Sequence, residues 1–217
     1  MHEMSRVSTT DPGPPPTALC FAHLNLRRNP FGEPQREERA ALAVVDVSRW
    51  VWRLKRPGVA LQFMAPPGHG KTTTLLAIMA HFPQGAYLHV EEGRRPWIPR
   101  AEPLAIDEWD RLSRRWRRRV LRRQVALALG THEDFSQELL CAGYEVETVW
   151  LKDAVDADRL WEILNRRIEW ARRGPGPVPR VGRGTARALV ARFGGNLRAI
   201  ERLLYEQFQH LGELRDV

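Results

Sequence analysis

The stretch MAPPGHGKTTTLL, Met64 to Leu76, constrains this chain more than any other. It joins a short apolar run, Val59 to Met64 (VALQFM), to a segment from Thr73 to His81 that offers Leu75, Leu76 and Met79 to a core at helical spacing. A loop of the form G-x-x-x-x-G-K-[ST] in that setting wraps a phosphate with consecutive backbone N–H groups at a helix N-terminus. Gly68 and Gly70 let the backbone approach an anion, Lys71 can reach the β- and γ-phosphates, and the Thr72 hydroxyl can hold Mg2+. Pro67, His69 and Thr73 complete the loop. Ala65 replaces the glycine that opens the pattern, and its methyl is a steric burden only where φ must be positive. The plain alternative is a Gly-Pro surface turn beside a lysine; the flanking strand and helix speak against it.

A second apolar run, PLAIDEWDRL, ends in Asp107 and Glu108. An acid at the end of a buried strand beside a phosphate loop can serve Mg2+, and the next carboxylate can polarise an attacking water. Asp107 is therefore the metal-side candidate and Glu108 the hydrolytic base. Gln124 to Leu129 (QVALAL) reads as a further buried strand followed by Gly130, Thr131 and His132. Polar residues at the carboxyl end of such a strand lie next to bound phosphates, so Thr131 is expected to sense the γ-phosphate, with His132 as its substitute. Ala86 to Val90 and Glu147 to Leu151 bring the expected strands to five.

The remaining segments frame this core. Residues 1–20 include TTDPGPPPT, lack apolar periodicity and read as a disordered tail. Gln35 to Leu54 reads as one amphipathic helix after the turn NPFGEP, with Trp50 and Trp52 as core residues. From Asp156 on, Leu160, Ile163, Leu164 and Ile168 recur at helical spacing, and two further helices flank Gly194 and Gly195. The expected division is a nucleotide-binding α/β core over 21–153 and a helical lid over 154–217. Cys20 and Cys141 have no metal-ligand spacing and are expected to pack as ordinary side chains. No secretory signal or membrane-length apolar segment is found, so a cytoplasmic location without membrane contact is expected.

Together, PPGHGKTT at Pro66 to Thr73, LAIDE at Leu104 to Glu108, the strand end at Gly130 and Thr131, and GGNLRAIERLL at Gly194 to Leu204 resemble the AAA+ ATPases over roughly Leu24 to Leu211. That resemblance implies an α/β fold with the parallel sheet of the P-loop NTPases, flanked by helices and followed by a small C-terminal helical lid. It implies ATP and Mg2+ as cofactors, and it makes Arg198 a second sensor that approaches the γ-phosphate from the lid. With NPFGEP and the small size, the chain looks most similar to transposition-helper and secretion-associated ATPases of the TniB and ExeA type. In this family a helix usually separates the second and third strands; here the Pro-rich Glu91 to Glu102 replaces it.

Charge bears on the partner. The net charge is +8, and every basic residue except Lys55, Lys71 and Lys152 is arginine, which suits phosphate-bearing partners. Arg111 to Arg123 (RLSRRWRRRVLRR) contains no acid. As a helix it would turn Leu112, Trp116 and Val120 inward and expose Arg111, Arg114, Arg115, Arg118 and Arg122 as a candidate DNA or RNA contact, against the bland reading of a solvated basic face. Thr131 to Trp150 has no Arg or Lys, so an arginine finger must come from elsewhere: Arg122 and Arg123, a second copy, or a protein partner. The leading expectation is an ATP-hydrolysing molecular switch acting with nucleic acid or protein. An ATP-binding adaptor with little hydrolysis and a small-molecule kinase are the alternatives.

Overall fold

A computed structural model of the chain describes residues 20–152 and 155–217. The expected tail over 1–19 and the core–lid boundary at 153–154 lie outside the described residues. Five parallel strands form one sheet in the order β2-β3-β4-β1-β5. They are β1 (Val59–Met64), β2 (Ala86–His89), β3 (Leu104–Asp107), β4 (Leu127–Thr131) and β5 (Glu145–Trp150). β1, β3 and β4 are buried along their length, which explains why they read as unbroken apolar runs rather than as alternating ones.

Helices cover both faces. α3 (Lys71–Met79) packs Leu75 and Ile78 against Leu61, Phe63, Ala105 and Ala128 on one face. On the other, α4 (Arg114–Leu121) and α5 (Ser136–Cys141) bury Val120, Leu121 and Leu139 against Leu104, Ile106, Leu127 and Leu129. The C-terminal helices α6 (Ala157–Ala171), α7 (Arg183–Phe193) and α8 (Leu197–Gln209) share a separate apolar cluster. Asp156 caps α6 by accepting from the Arg159 N–H at 2.8 Å.

Several expectations need correction. The helix foreseen over 35–54 is two: α1 (Arg36–Ala41) and α2 (Ser48–Arg53). Between them Ala43, Val44, Val45 and Val47 run in an open connection, and the Asp46 carboxylate accepts the Ser48 N–H at 2.9 Å to restart the chain as α2. Trp50 packs edge-on to Phe63 at 4.9 Å, whereas Trp52 is 64% exposed. Cys20 and Cys141 are both exposed. The strand foreseen over 124–129 starts three residues later, at Leu127, because Gln124 adopts a left-handed φ of 53° and belongs to the turn after α4.

The N-terminal segment also departs from the expected division. Phe21, Leu24, Leu26 and Phe31 join the cluster of α6, α7 and α8 rather than the sheet. Asn29 Nδ2 donates to Tyr205 O at 3.0 Å and to Gln209 Oε1 at 3.1 Å, and Phe31 meets Phe208 edge-on at 5.0 Å. Arg167 of α6 closes the arrangement. Its guanidinium is buried and donates to Pro30 O (2.9 Å), Gly32 O (2.6 Å) and Glu201 (2.6 Å). Burial lowers the Arg167 pKa and raises that of Glu201, and each charge partly offsets the shift of the other. Residues 21–32 therefore pack with the C-terminal helices rather than with the sheet.

Candidate nucleotide site

The phosphate loop spans the gap between β1 and α3. Gly68 and Gly70 have φ of 84° and 87°, a conformation that side chains rarely adopt. Ala65 is not among the left-handed residues and packs in the sheet core, so its methyl is tolerated there. A Cβ on Gly68 would also lie 2.5 Å from Asn196 Oδ1 and 3.0 Å from the Arg198 Cβ, because the start of α8 closes over the loop. Asn196 caps that helix by accepting the Ala199 N–H at 3.2 Å, which sets Arg198 in its first turn at the cleft. Arg198 is exposed and makes no ion pair among the described residues.

Lys71 is buried without a carboxylate within ion-pair distance among the described residues. Its Nζ donates to Ala65 O at 2.7 Å and lies 3.3 Å from His132 Nδ1. Burial holds its pKa below the ordinary lysine value, and the more distant Glu108, Asp107 and Asp110 oppose that shift. Such a cation is poised for an anion. The Thr72 hydroxyl donates to Asp107 Oδ2 at 2.6 Å, joining the two residues assigned to the metal. Tyr87 of β2 donates to the same oxygen at 2.9 Å, and burial followed by the Asp107 charge pushes the Tyr87 pKa far up, so the phenol keeps its proton. Asp107 Oδ1 is buried with no hydrogen-bond partner among the described residues. A carboxylate with one oxygen unsatisfied and the other beside the Thr72 hydroxyl and the phosphate loop has the chemistry that suits Mg2+, a hard cation usually held by one or two carboxylates, substrate phosphates and waters.

Gly130 makes this carboxylate possible. In register, Asp107 stands beside Gly130, where a Cβ would come 2.5 Å from Asp107 Oδ1 and 3.1 Å from the Leu75 side chain. Gly130→Ala is expected to destabilise the fold by about 1–3 kcal/mol through overpacking and to weaken the response to Mg2+. Thermal unfolding with and without MgATP checks this; an unaltered transition and Mg2+ response would refute the packing argument.

Glu108 follows in a left-handed conformation, φ 62° and ψ 48°, which ends β3 and turns its carboxylate into the cleft. For a non-glycine residue this costs about 1–2 kcal/mol and marks a site held by its surroundings. The carboxylate lies 3.2 Å from His132 Nε2 and 3.2 Å from Arg111 Nη2. These contacts correct two assignments. Thr131 is fully buried and its hydroxyl bonds to the backbone of Glu133, whereas His132 occupies the cleft between Lys71 and Glu108. β4 lies beside both β1 and β3, so its end delivers the next residue between their functional groups. Arg111 lies on a short 3-10 turn before α4, not on the outer arginine face, and donates to Val90 O at 3.1 Å while lining the cleft. Arg123, by contrast, is spent on Pro99 O at 2.8 Å, and Arg122 lines a groove with α5. Arg111 is thus the arginine of the 111–123 stretch that reaches the site within its own chain, a role the assumption of one continuous helix concealed.

The cleft measures ≈ 680 Å³ and takes in Gly68, Lys71, Thr72, Glu108, His132 and Arg198. An adjoining cavity of ≈ 210 Å³ between α3, the residues preceding α2 and the lid is lined by Leu42, Val45, Trp50, Ile163 and Leu197. A polar trough beside a small apolar chamber suits a triphosphate and a flat base.

No family model matches the chain, and no curated protein matches it. Solved structures do. A point mutant of RuvB from Thermotoga maritima superposes with a TM-score of 0.54 at 16% identity, covering 86% of this chain and 66% of that one. The chain shares the fold of that RuvB structure. The RuvB Holliday junction branch migration motor of the same organism gives 0.48 at 18% identity, covering 80% of this chain and 60% of its own. Cdc6p from Pyrobaculum aerophilum gives 0.49 at 15%, covering 81% and 61%. The chain therefore spans about three fifths to two thirds of the length of these structures. They do not bear on the narrower likeness to TniB and ExeA. No helix among the described residues is long and apolar enough to cross a membrane.

Proposed function

We propose that this chain binds MgATP in the cleft and hydrolyses it, switching its interaction with a nucleic acid or protein partner. The observation that carries this reading is the convergence of Lys71, the Thr72–Asp107 pair and Glu108 around one phosphate loop. Lys71 and the loop N–H groups bind the phosphates. Thr72 and Asp107 hold the metal, which supplies charge neutralisation on the phosphate oxygens. Glu108 takes up the proton of the attacking water once it is free of its present partners, and His132 and Arg198, which both line the cleft, contact the terminal phosphate.

The adaptor reading draws support from two contacts: Glu108 is engaged by both Arg111 and His132, so the isolated chain holds its base in an ion pair. The kinase reading draws none, since α6, α7 and α8 follow the last strand as a separate cluster. We expect slow phosphate release per chain that rises with protein concentration or added DNA, as a second copy or partner supplies transition-state charge worth about 10³ to 10⁵ in rate. Phosphate release measured across chain concentration, with and without DNA, tests it. Transfer to an acceptor, or no release under any condition, overturns hydrolysis; fast turnover in a demonstrated monomer overturns the need for a partner.

A further inference from the structure

The sheet face opposite α3 carries an unusual surface. The outer side of α4 exposes Arg114, Arg115, Arg118, Arg119 and Arg122. Arg117 alone among the arginines of α4 turns to an acid, bonding Glu138 at 2.9 Å and stacking on Phe135 at 4.8 Å. Arg114, Arg115, Arg118 and Arg122 have no ion-pair partner among the described residues. Cations this close repel one another, and folding alone requires none of them.

Two neighbours give this ridge shape. On one side, Arg114, Arg118 and Arg122 with Gln137 of α5 line a groove of ≈ 640 Å³. Residues four apart on a helix recur about every 6 Å along its axis, so the three arginines leave the backbone at evenly spaced positions. The second neighbour is the Pro-rich link between β2 and β3. Ile98 is buried in the same cluster as α4, and Arg123 at the end of that helix donates to Pro99 O at 2.8 Å. The link is pinned immediately beyond Trp97, yet the Trp97 side chain is 80% exposed, with Arg95 and Arg100 exposed beside it in sequence. A large aromatic held out from an anchored backbone is a ready platform for stacking.

We infer that this face binds single-stranded nucleic acid, with backbone phosphates along the arginine row and an unpaired base stacked on Trp97. Charge complementarity supplies affinity, and an accessible aromatic favours a strand whose bases are free over a duplex whose bases are not. This narrows the partner left open by the proposed ATPase reading and does not require hydrolysis to be correct.

The test is fluorescence anisotropy of the full chain with a labelled oligothymidine and with a duplex of equal length, each over a salt series. The single strand should bind more tightly. Arg114→Ala with Arg118→Ala should weaken binding and reduce the slope of log affinity against log salt by about 1.4, two phosphate contacts at ~0.7 each. Trp97→Ala should cost about tenfold on the single strand and leave the duplex unchanged. Thermal stabilisation by MgATP, measured on the same variants, should match the parent and so reports folding. Unchanged affinity in the arginine pair, preference for the duplex, or self-association lost in Trp97→Ala without nucleic-acid binding would each overturn the inference. If strand binding behaves as expected while no phosphate is released, only the ATPase reading falls.

Discussion

Glu108→Gln is expected to leave MgATP binding within about twofold of the parent and to slow hydrolysis by about a hundredfold or more. The amide is isosteric, so it can keep the turn that ends β3 and can still accept from Arg111 through its oxygen. It cannot take a proton from water at neutral pH, and general base catalysis contributes about 10² to 10⁴ in rate. Single-turnover phosphate release, paired with a binding isotherm, separates the two effects. Parental turnover in this variant would remove Glu108 from the chemistry and shift attention to His132.

Lys71→Met is expected to abolish the nucleotide response while sparing the fold. The methionine keeps an unbranched stem in the buried channel, and the protein loses a cation that burial already disfavours. The unpaired Ala65 carbonyl costs about 1–3 kcal/mol, and the removal of a desolvated charge offsets part of it. Binding suffers more, because a charge-assisted contact to phosphate is worth about 1.5–3 kcal/mol for each hydrogen bond. At a ligand concentration a hundred times the parental Kd, the parent should gain about 2.7 kcal/mol of stability and the variant close to none. Thermal unfolding with and without MgATP decides it; equal shifts in both proteins would mean that the loop does not hold the phosphates.

The sequence disclosed the loop, the Asp107–Glu108 pair and the strand count because each is written in adjacent residues. It disclosed less where neighbours in space are distant in the chain. Thr131 and His132 are consecutive, and only the placement of β4 beside both β1 and β3 shows which of the two side chains enters the cleft. Arg111 was hidden by periodicity: a helical pattern carried back through Ser113 puts it on the outer face, but Ser113 is extended at ψ 150° and the helix starts after it. Tyr87 left no local signal, since its partner Asp107 is twenty residues away on the neighbouring strand. The open connection between α1 and α2 was foreshadowed by Val44, Val45 and Val47, whose branched side chains disfavour helix, had that composition outweighed the amphipathic spacing.

The junction of residues 21–32 with α6, α7 and α8 has a consequence for how the molecule is made. A chain synthesised from its N-terminus has the whole sheet available once β5 has emerged, and domains tend to fold as units during synthesis. Phe21, Leu24, Leu26 and Phe31 must wait: their apolar partners include Ile200, Leu204 and Phe208, nearly two hundred residues later. Contacts of such sequence separation form slowly because the loop between them must close first. The early-made segment thus lacks part of its partner set until α8 is complete, and Arg198, on that same helix, reaches the phosphate loop only then. A partly synthesised chain therefore has a sheet and a loop but a cleft still lacking the side that the start of α8 closes.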